Sequence, residues 1–94
     1  MYELLIADDE ISSRSILASC FPWEEQGFHI CGQVSNGLEA LAFLKEHTVH
    51  AVLSDISMPS MDGIGLAKEL AAKNGSRPIV VFLSAYDNFK YAQE

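Results

Sequence analysis

Four short strand-like segments, each followed by a polar break and then by residues at helical spacing, constrain this chain more than any other feature. They occupy residues 3–7, 28–34, 49–54 and 79–83. The first, third and fourth are mostly apolar instead of alternating, the pattern of strands covered on both faces, and residues 28–34 can form the second strand. Between them, Ile16, Leu17, Cys20 and Phe21 share one helical face, as do Leu38, Leu41, Ala42 and Leu44, and then Leu66, Ala67, Leu70 and Ala71. Pro22 closes the first helix, Ser35-Asn36-Gly37 forms a turn before the second, and Asn74-Gly75 stops the third. A fourth helix is expected to start at Tyr86. Strand and helix in strict succession give an α/β fold: a doubly wound parallel sheet with helices on both sides. At 94 residues the chain has room for one core and hence one domain.

Composition narrows the function classes. Thirteen Asp and Glu against six Lys and Arg leave a formal charge of -7, which repels phosphate backbones and anionic membranes. Nucleic acid is therefore not expected as a direct partner of this segment. No apolar stretch approaches the roughly 20 residues that span a bilayer, and Met1-Tyr2-Glu3 leads into the first strand without a basic leader. A cytoplasmic location is the expectation. Cys20 and Cys31 read as buried thiols, not a bridge, and His29, His47 and His50 lack the spacing of a metal pair.

In an open α/β sheet, working groups gather where the carboxyl ends of the strands meet the loops. Those ends carry Asp8-Asp9, Asp55 and Ser84. Three carboxylates held together repel one another unless a cation or a proton intervenes, and a few hard oxygens with room for water suit Mg²⁺. Taken singly, Asp8, Asp9 or Glu10 has a simpler reading as a cap on the first helix. Asp55 resists that account, because it directly follows an apolar strand.

Together, Asp8-Asp9-Glu10, the run Ser54-Asp55-Ile56-Ser57-Met58-Pro59-Ser60-Met61-Asp62-Gly63, and Leu83-Ser84-Ala85 resemble the receiver domains of two-component response regulators. The resemblance extends along essentially the whole chain and implies a flavodoxin-like (CheY-like) fold. It further implies Asp55 as phosphoryl acceptor from a sensor histidine kinase. Mg²⁺ would be held by Asp8, Asp9, Asp55 and the backbone carbonyl of Ser57. Ser84 would be the hydroxyl that contacts the phosphoryl group, and Pro59 and Gly63 would shape the loop. A phosphoacceptor of this kind is a switch, not a turnover enzyme.

A narrower likeness lies in residues 21–28, Phe-Pro-Trp-Glu-Glu-Gln-Gly-Phe, and in 84–92, which are similar to receivers preceding AraC-type helix-turn-helix output domains. It implies transcriptional control, with DNA bound by an output domain outside this sequence. Trp23 and its neighbouring aromatics have an equally good reading as a seal on the edge of the core. A complete receiver continues through a fourth helix, a fifth strand with a Lys near its end, and a fifth helix, so residues 1–94 are expected to be an incomplete receiver domain. Loss of that strand would expose residues 79–83 as an apolar edge, so self-association through this edge or the fourth helix is expected.

Two alternatives remain open. One is a receiver-like dimerisation module without phosphoryl switching. The other is a metal-dependent phosphohydrolase, although haloacid-dehalogenase-like phosphatases carry D-x-D after the first strand, where this chain has adjacent Asp8-Asp9.

Overall fold

The computed structural model describes residues 1–55, 58, 60–72 and 78–82. Strands β1 (Tyr2–Ala7), β2 (Phe28–Val34), β3 (Ala51–Ser54) and β4 (Ile79–Phe82) form one parallel sheet in the order β2-β1-β3-β4. Helices α1 (Ile11–Cys20), α2 (Gly37–Glu46) and α3 (Gly63–Ala71) make the crossovers, and a single 3-10 turn spans Glu24–Gln26. The doubly wound α/β expectation holds. The third strand is shorter than expected, beginning at Ala51, and the fourth helix expected from Tyr86 lies outside the described residues.

The main core lies on one face of the sheet. Leu5, Ala7 and Val52 pack there against Ala40 of α2 and Leu66 and Leu70 of α3, closed by Val34, Val49 and Met58. Both helices start on well-made caps. Asn36 accepts from the Glu39 amide at 2.8 Å, and Asp62 accepts from the Gly65 amide at 2.7 Å. These caps fix where each helix begins, and so where the preceding loop must end.

The opposite face is covered differently. Leu4 and Ile6 are buried there beneath α1, which packs on β1. Yet α1 buries none of its own residues completely. Of the helical face expected at the core, Leu17 is half-buried while Ile16, Cys20 and Phe21 are exposed. Spacing marks a face as apolar but does not supply the surface to cover it. Two side chains pin the helix instead: Arg14 Nη1 donates to the Asp8 carbonyl at 2.6 Å, and Trp23 Nε1 donates to the Leu17 carbonyl at 2.7 Å.

Trp23 also meets Phe21 with ring centroids 5.3 Å apart and Phe28 at 6.2 Å. The aromatic cluster therefore seals the passage from α1 to β2, as one of the two readings of Trp23 requires. A cavity of about 380 Å³ opens beside it, lined by Phe21, Trp23, Glu24, Glu25, His29 and neighbouring residues. Next to it, His29 pairs with Glu3 at 2.8 Å, a contact that raises the imidazole pKa. Cys31 forms a bulge between Leu4 and Leu5 of β1, and its thiol reaches the Leu4 carbonyl at 3.4 Å. Burial pushes the pKa of this thiol up. Both cysteines are free, but Cys20 is exposed where a buried thiol was expected.

Gly27 ends the 3-10 turn at φ 90°, and its amide donates to the Glu24 carbonyl at 3.1 Å. A Cβ at this position would meet no atom within 4 Å, so substitution there tests backbone conformation alone. Gly27→Ala is expected to cost about 1–2 kcal/mol, the penalty of a left-handed L-residue. Urea denaturation of the two chains, read as a shift in midpoint at unchanged slope, measures it.

Candidate functional site

The ends of β1 and β3 are adjacent because the two strands pair in register, Ala7 opposite Ser54. The ladder runs one residue further on each side. The Asp55 amide donates to the Ala7 carbonyl at 2.9 Å, and the Asp8 amide donates to the Val34 carbonyl at 3.0 Å. Asp8 and Asp55 thus leave the sheet side by side, with Asp9 next along the loop. One carboxylate oxygen from each of Asp8, Asp9 and Asp55 can be drawn from a set lying within 4.8 Å of one another. Asp8 is buried, Asp55 half-buried and Asp9 exposed, so the cluster opens to solvent on one side.

Capping does not explain these acids. Glu10 stands at the N-cap of α1 and makes no side-chain capping bond, while the Asp8 carboxylate accepts the Glu10 amide at 3.0 Å. That bond turns the chain sharply after β1. It leaves Asp8 at the strand end, not on the helix.

The floor beneath Asp55 is a close contact between strand end and helix start. Ser54 is fully buried, and its hydroxyl donates to the Asp55 carbonyl at 2.8 Å. Gly63, the first residue of α3, lies against the same carbonyl: a Cβ built there would stand 2.5 Å from the Asp55 oxygen and 2.9 Å from the Phe82 ring. The loop between them is tied across to α2, where the Gly37 amide donates to the Met61 carbonyl at 2.8 Å. Within it, Ser60 adopts φ 66°, a left-handed conformation uncommon outside glycine.

The expected site residues therefore divide. Asp8, Asp9 and Asp55 come together, and Gly63 closes the loop behind them. Ser57, Pro59 and Ser84 lie outside the described residues.

Sequence reasoning passed over Arg14 and Glu39. Arg14 projects from the first turn of α1 to the Asp8 carbonyl, and its Nε is buried without a hydrogen-bond partner among the described residues. Glu39, in the first turn of α2, accepts from the Ser35 amide at 2.7 Å and hydroxyl at 2.6 Å. Ser35 thereby holds the Glu39 carboxyl below the usual carboxylate range, with a smaller pull from the Arg14 guanidinium. The only sequence signal for Arg14 was its position one helical turn beyond the acidic loop.

The family model of the response regulator receiver domain matches residues 4–94. The chain is 37% identical over 94 residues to the uncharacterized transcriptional regulatory protein YesN of Bacillus subtilis, covering 100% of this chain and 25% of that protein. It is 33% identical over 91 residues to the transcriptional regulatory protein HptR of Staphylococcus aureus, covering 97% of this chain and 35% of that protein. It thus spans about a quarter to a third of the length of these relatives.

Among solved structures, it is similar to the REC domain of AraT, a response regulator from Geobacillus stearothermophilus. The TM-score is 0.81 at 34% identity, over 98% of this chain and 70% of that one. It is also similar to a chain in the complex of histidine kinase ThkA with the response regulator protein TrrA. There the TM-score is 0.73 at 31% identity, over 92% of this chain and 71% of that one.

Because the atom facing Gly63 is backbone, it cannot swing away from an added methyl group. Gly63→Ala is expected to destabilise by about 1–3 kcal/mol, as overpacking does, and to displace the Asp55 peptide. Denaturation together with the Asp55 amide resonance in ¹H–¹⁵N spectra checks both effects.

Proposed function

The chain belongs to the response regulator receiver domains of two-component signalling, and from that premise we propose that it is a phosphoryl-accepting switch with Asp55 as acceptor. The observation that carries this reading is the meeting of Asp8, Asp9 and Asp55 at the ends of two paired strands. Residues 1–94 act as one receiver domain in this reading, in a cytoplasmic protein. The donor is a phosphohistidine of a sensor kinase. The similarity to a kinase–regulator complex supports that partner.

The chemistry asks little of the protein beyond placement. An Asp55 carboxylate oxygen attacks phosphorus in line, forming an O–P bond as the P–N bond to the donor histidine breaks and its electron pair returns to the imidazole. The Ser54 hydroxyl and the Ala7 carbonyl hold the Asp55 backbone, so its side chain is aimed before the donor arrives.

Clustered hard oxygens fit Mg²⁺: two of the three carboxylates are at least partly open, leaving room for water and phosphoryl oxygens. Asp8, Asp9 and Asp55 would hold the ion, with the Ser57 carbonyl assigned by its place in the motif. When bound, Mg²⁺ offsets negative charge on the nucleophile and the transferring group. Ser84 is assigned, also by motif, as the hydroxyl that meets the phosphoryl group.

Phosphorylation adds nearly two negative charges and new acceptor oxygens where three carboxylates already stand, and this change would bias the surrounding surface between two states. The output in this reading is transcriptional, through a DNA-binding domain outside this segment; that YesN and HptR are transcriptional regulatory proteins supports the transcriptional part. Beryllofluoride with Mg²⁺ mimics the phosphorylated acid. It is expected to shift the Asp8, Asp9 and Asp55 amide resonances in the wild-type chain and to leave Asp55→Asn unchanged. Equal responses in the two chains would sink the assignment.

A second reading, self-association, has its own observation. Strand β4 pairs with β3 along one edge, and its other edge has no strand partner among the described residues. Ile79 is 70% exposed, and Val81 and Phe82 are exposed as well, with no charged residue in the strand. Natural edges are usually protected by charge, bulges or cover, so this one favours pairing with a second copy. Sedimentation of the 94-residue chain is expected to show a concentration-dependent dimer that Val81→Lys weakens. A monomer at all concentrations overturns this reading.

A further inference from the structure

Resting on the acidic-site reading above, we infer that Arg14 is a positioning residue for that site: it fixes the peptide between Asp8 and Asp9, and so sets how tightly the cluster holds Mg²⁺. Three bonds constrain Asp8. Its amide donates to the Val34 carbonyl, its carboxylate accepts the Glu10 amide, and its carbonyl accepts Arg14 Nη1 at 2.6 Å. The first two fix the entry to the loop and the side chain of Asp8. Among the described residues, only the third acts on the peptide plane that leads into Asp9.

Rotation of that plane swings the Asp9 side chain relative to Asp8 and Asp55. Asp9 is exposed, so burial does not hold its side chain against such a swing. The guanidinium is a planar, rigid fork, so its hold on a carbonyl restrains orientation as well as distance.

Arg14 is itself braced. It rises from the first turn of α1, where its amide donates to the Glu10 carbonyl at 3.1 Å, and the residue is half-buried with Nε fully enclosed. The Glu39 carboxylate, fixed by two bonds from Ser35 just after β2, lies near enough for the Arg14 charge to lower its pKa slightly. Arg14 thus links the start of α1 to the peptide that leads from Asp8 into Asp9.

The sign of the effect separates positioning from charge. A nearby cation opposes Mg²⁺ binding, so if charge alone mattered, removing Arg14 would tighten the site. Positioning predicts the reverse, and loss of groups that orient metal ligands typically costs roughly 10–100-fold in affinity.

The test is a Mg²⁺ titration of the full chain, followed by amide resonances of the acidic loop, for wild type, Asp9→Asn, Arg14→Gln and Arg14→Lys. The Asp8 carbonyl ¹³C resonance serves as an independent report of the Arg14 bond. Arg14→Gln is expected to move that resonance without Mg²⁺ present and to weaken binding about 10-fold. Arg14→Lys, which retains a donor and the charge, is expected to recover part of the loss. In any variant that folds, a displaced Asp8 carbonyl resonance with Mg²⁺ affinity unchanged or tightened overturns the inference alone. A wild-type chain without saturable Mg²⁺ binding, or one matched by Asp9→Asn, overturns the site reading and this inference with it.

Discussion

The pairing of β1 with β3 is the constraint on which the rest of this structure depends. It matches Ala7 to Ser54 and continues one residue further through the Asp55 amide and the Ala7 carbonyl. A slip of one residue along that ladder would turn Leu53 and Ser54 to opposite faces of the sheet and carry Asp55 away from Asp8. The register is protected by burial, since Leu5, Ile6, Val52 and Ser54 are wholly enclosed and have no alternative place to go. Hydrophobic packing thereby holds a cluster of like charges together.

That cluster costs free energy, and the structure contains the groups that offset it. Asp8 receives the Glu10 amide, and its carbonyl receives the Arg14 guanidinium. The backbone of Asp55 is held by Ser54 and confined by Gly63. Carboxylates so arranged accept a divalent cation more readily than flexible ones, because little ordering remains to be done on binding. The start of α3 is tight as well, as any side chain at position 63 would press on the Asp55 backbone.

The two faces of the sheet are unequal. On one, α2 and α3 bury Leu5, Val52, Leu66 and Leu70 in a continuous core. On the other, α1 rests on β1 with no side chain fully buried, while Ile79 and Val81 remain exposed. Helix α1 is held by the hydrogen bonds of Arg14 and Trp23 as well as by its partial packing on β1. Arg14 therefore has two tasks, anchoring a helix and restraining the acidic loop, and the same hydrogen bond performs both.

Sequence by itself determined the class of fold and the place of the acids. Uninterrupted apolar runs identify strands enclosed on both faces, and the chain order of strands and helices then makes the carboxyl ends the only edge where Asp8, Asp9 and Asp55 can gather. The turn at residues 35–37 was legible too, but the caps made there by Asn36 and at the start of α3 by Asp62 emerged only in the structure. Tertiary structure decided what depends on distant partners. It exposed Ile16 and Phe21, whose spacing had marked them as core, because periodicity describes one helix and burial requires a second surface. It shortened β3 to the residues that find ladder partners. It also brought Arg14 to the Asp8 carbonyl, a contact that depends on how the first turn of α1 sits over the end of β1, a geometry no local pattern encodes.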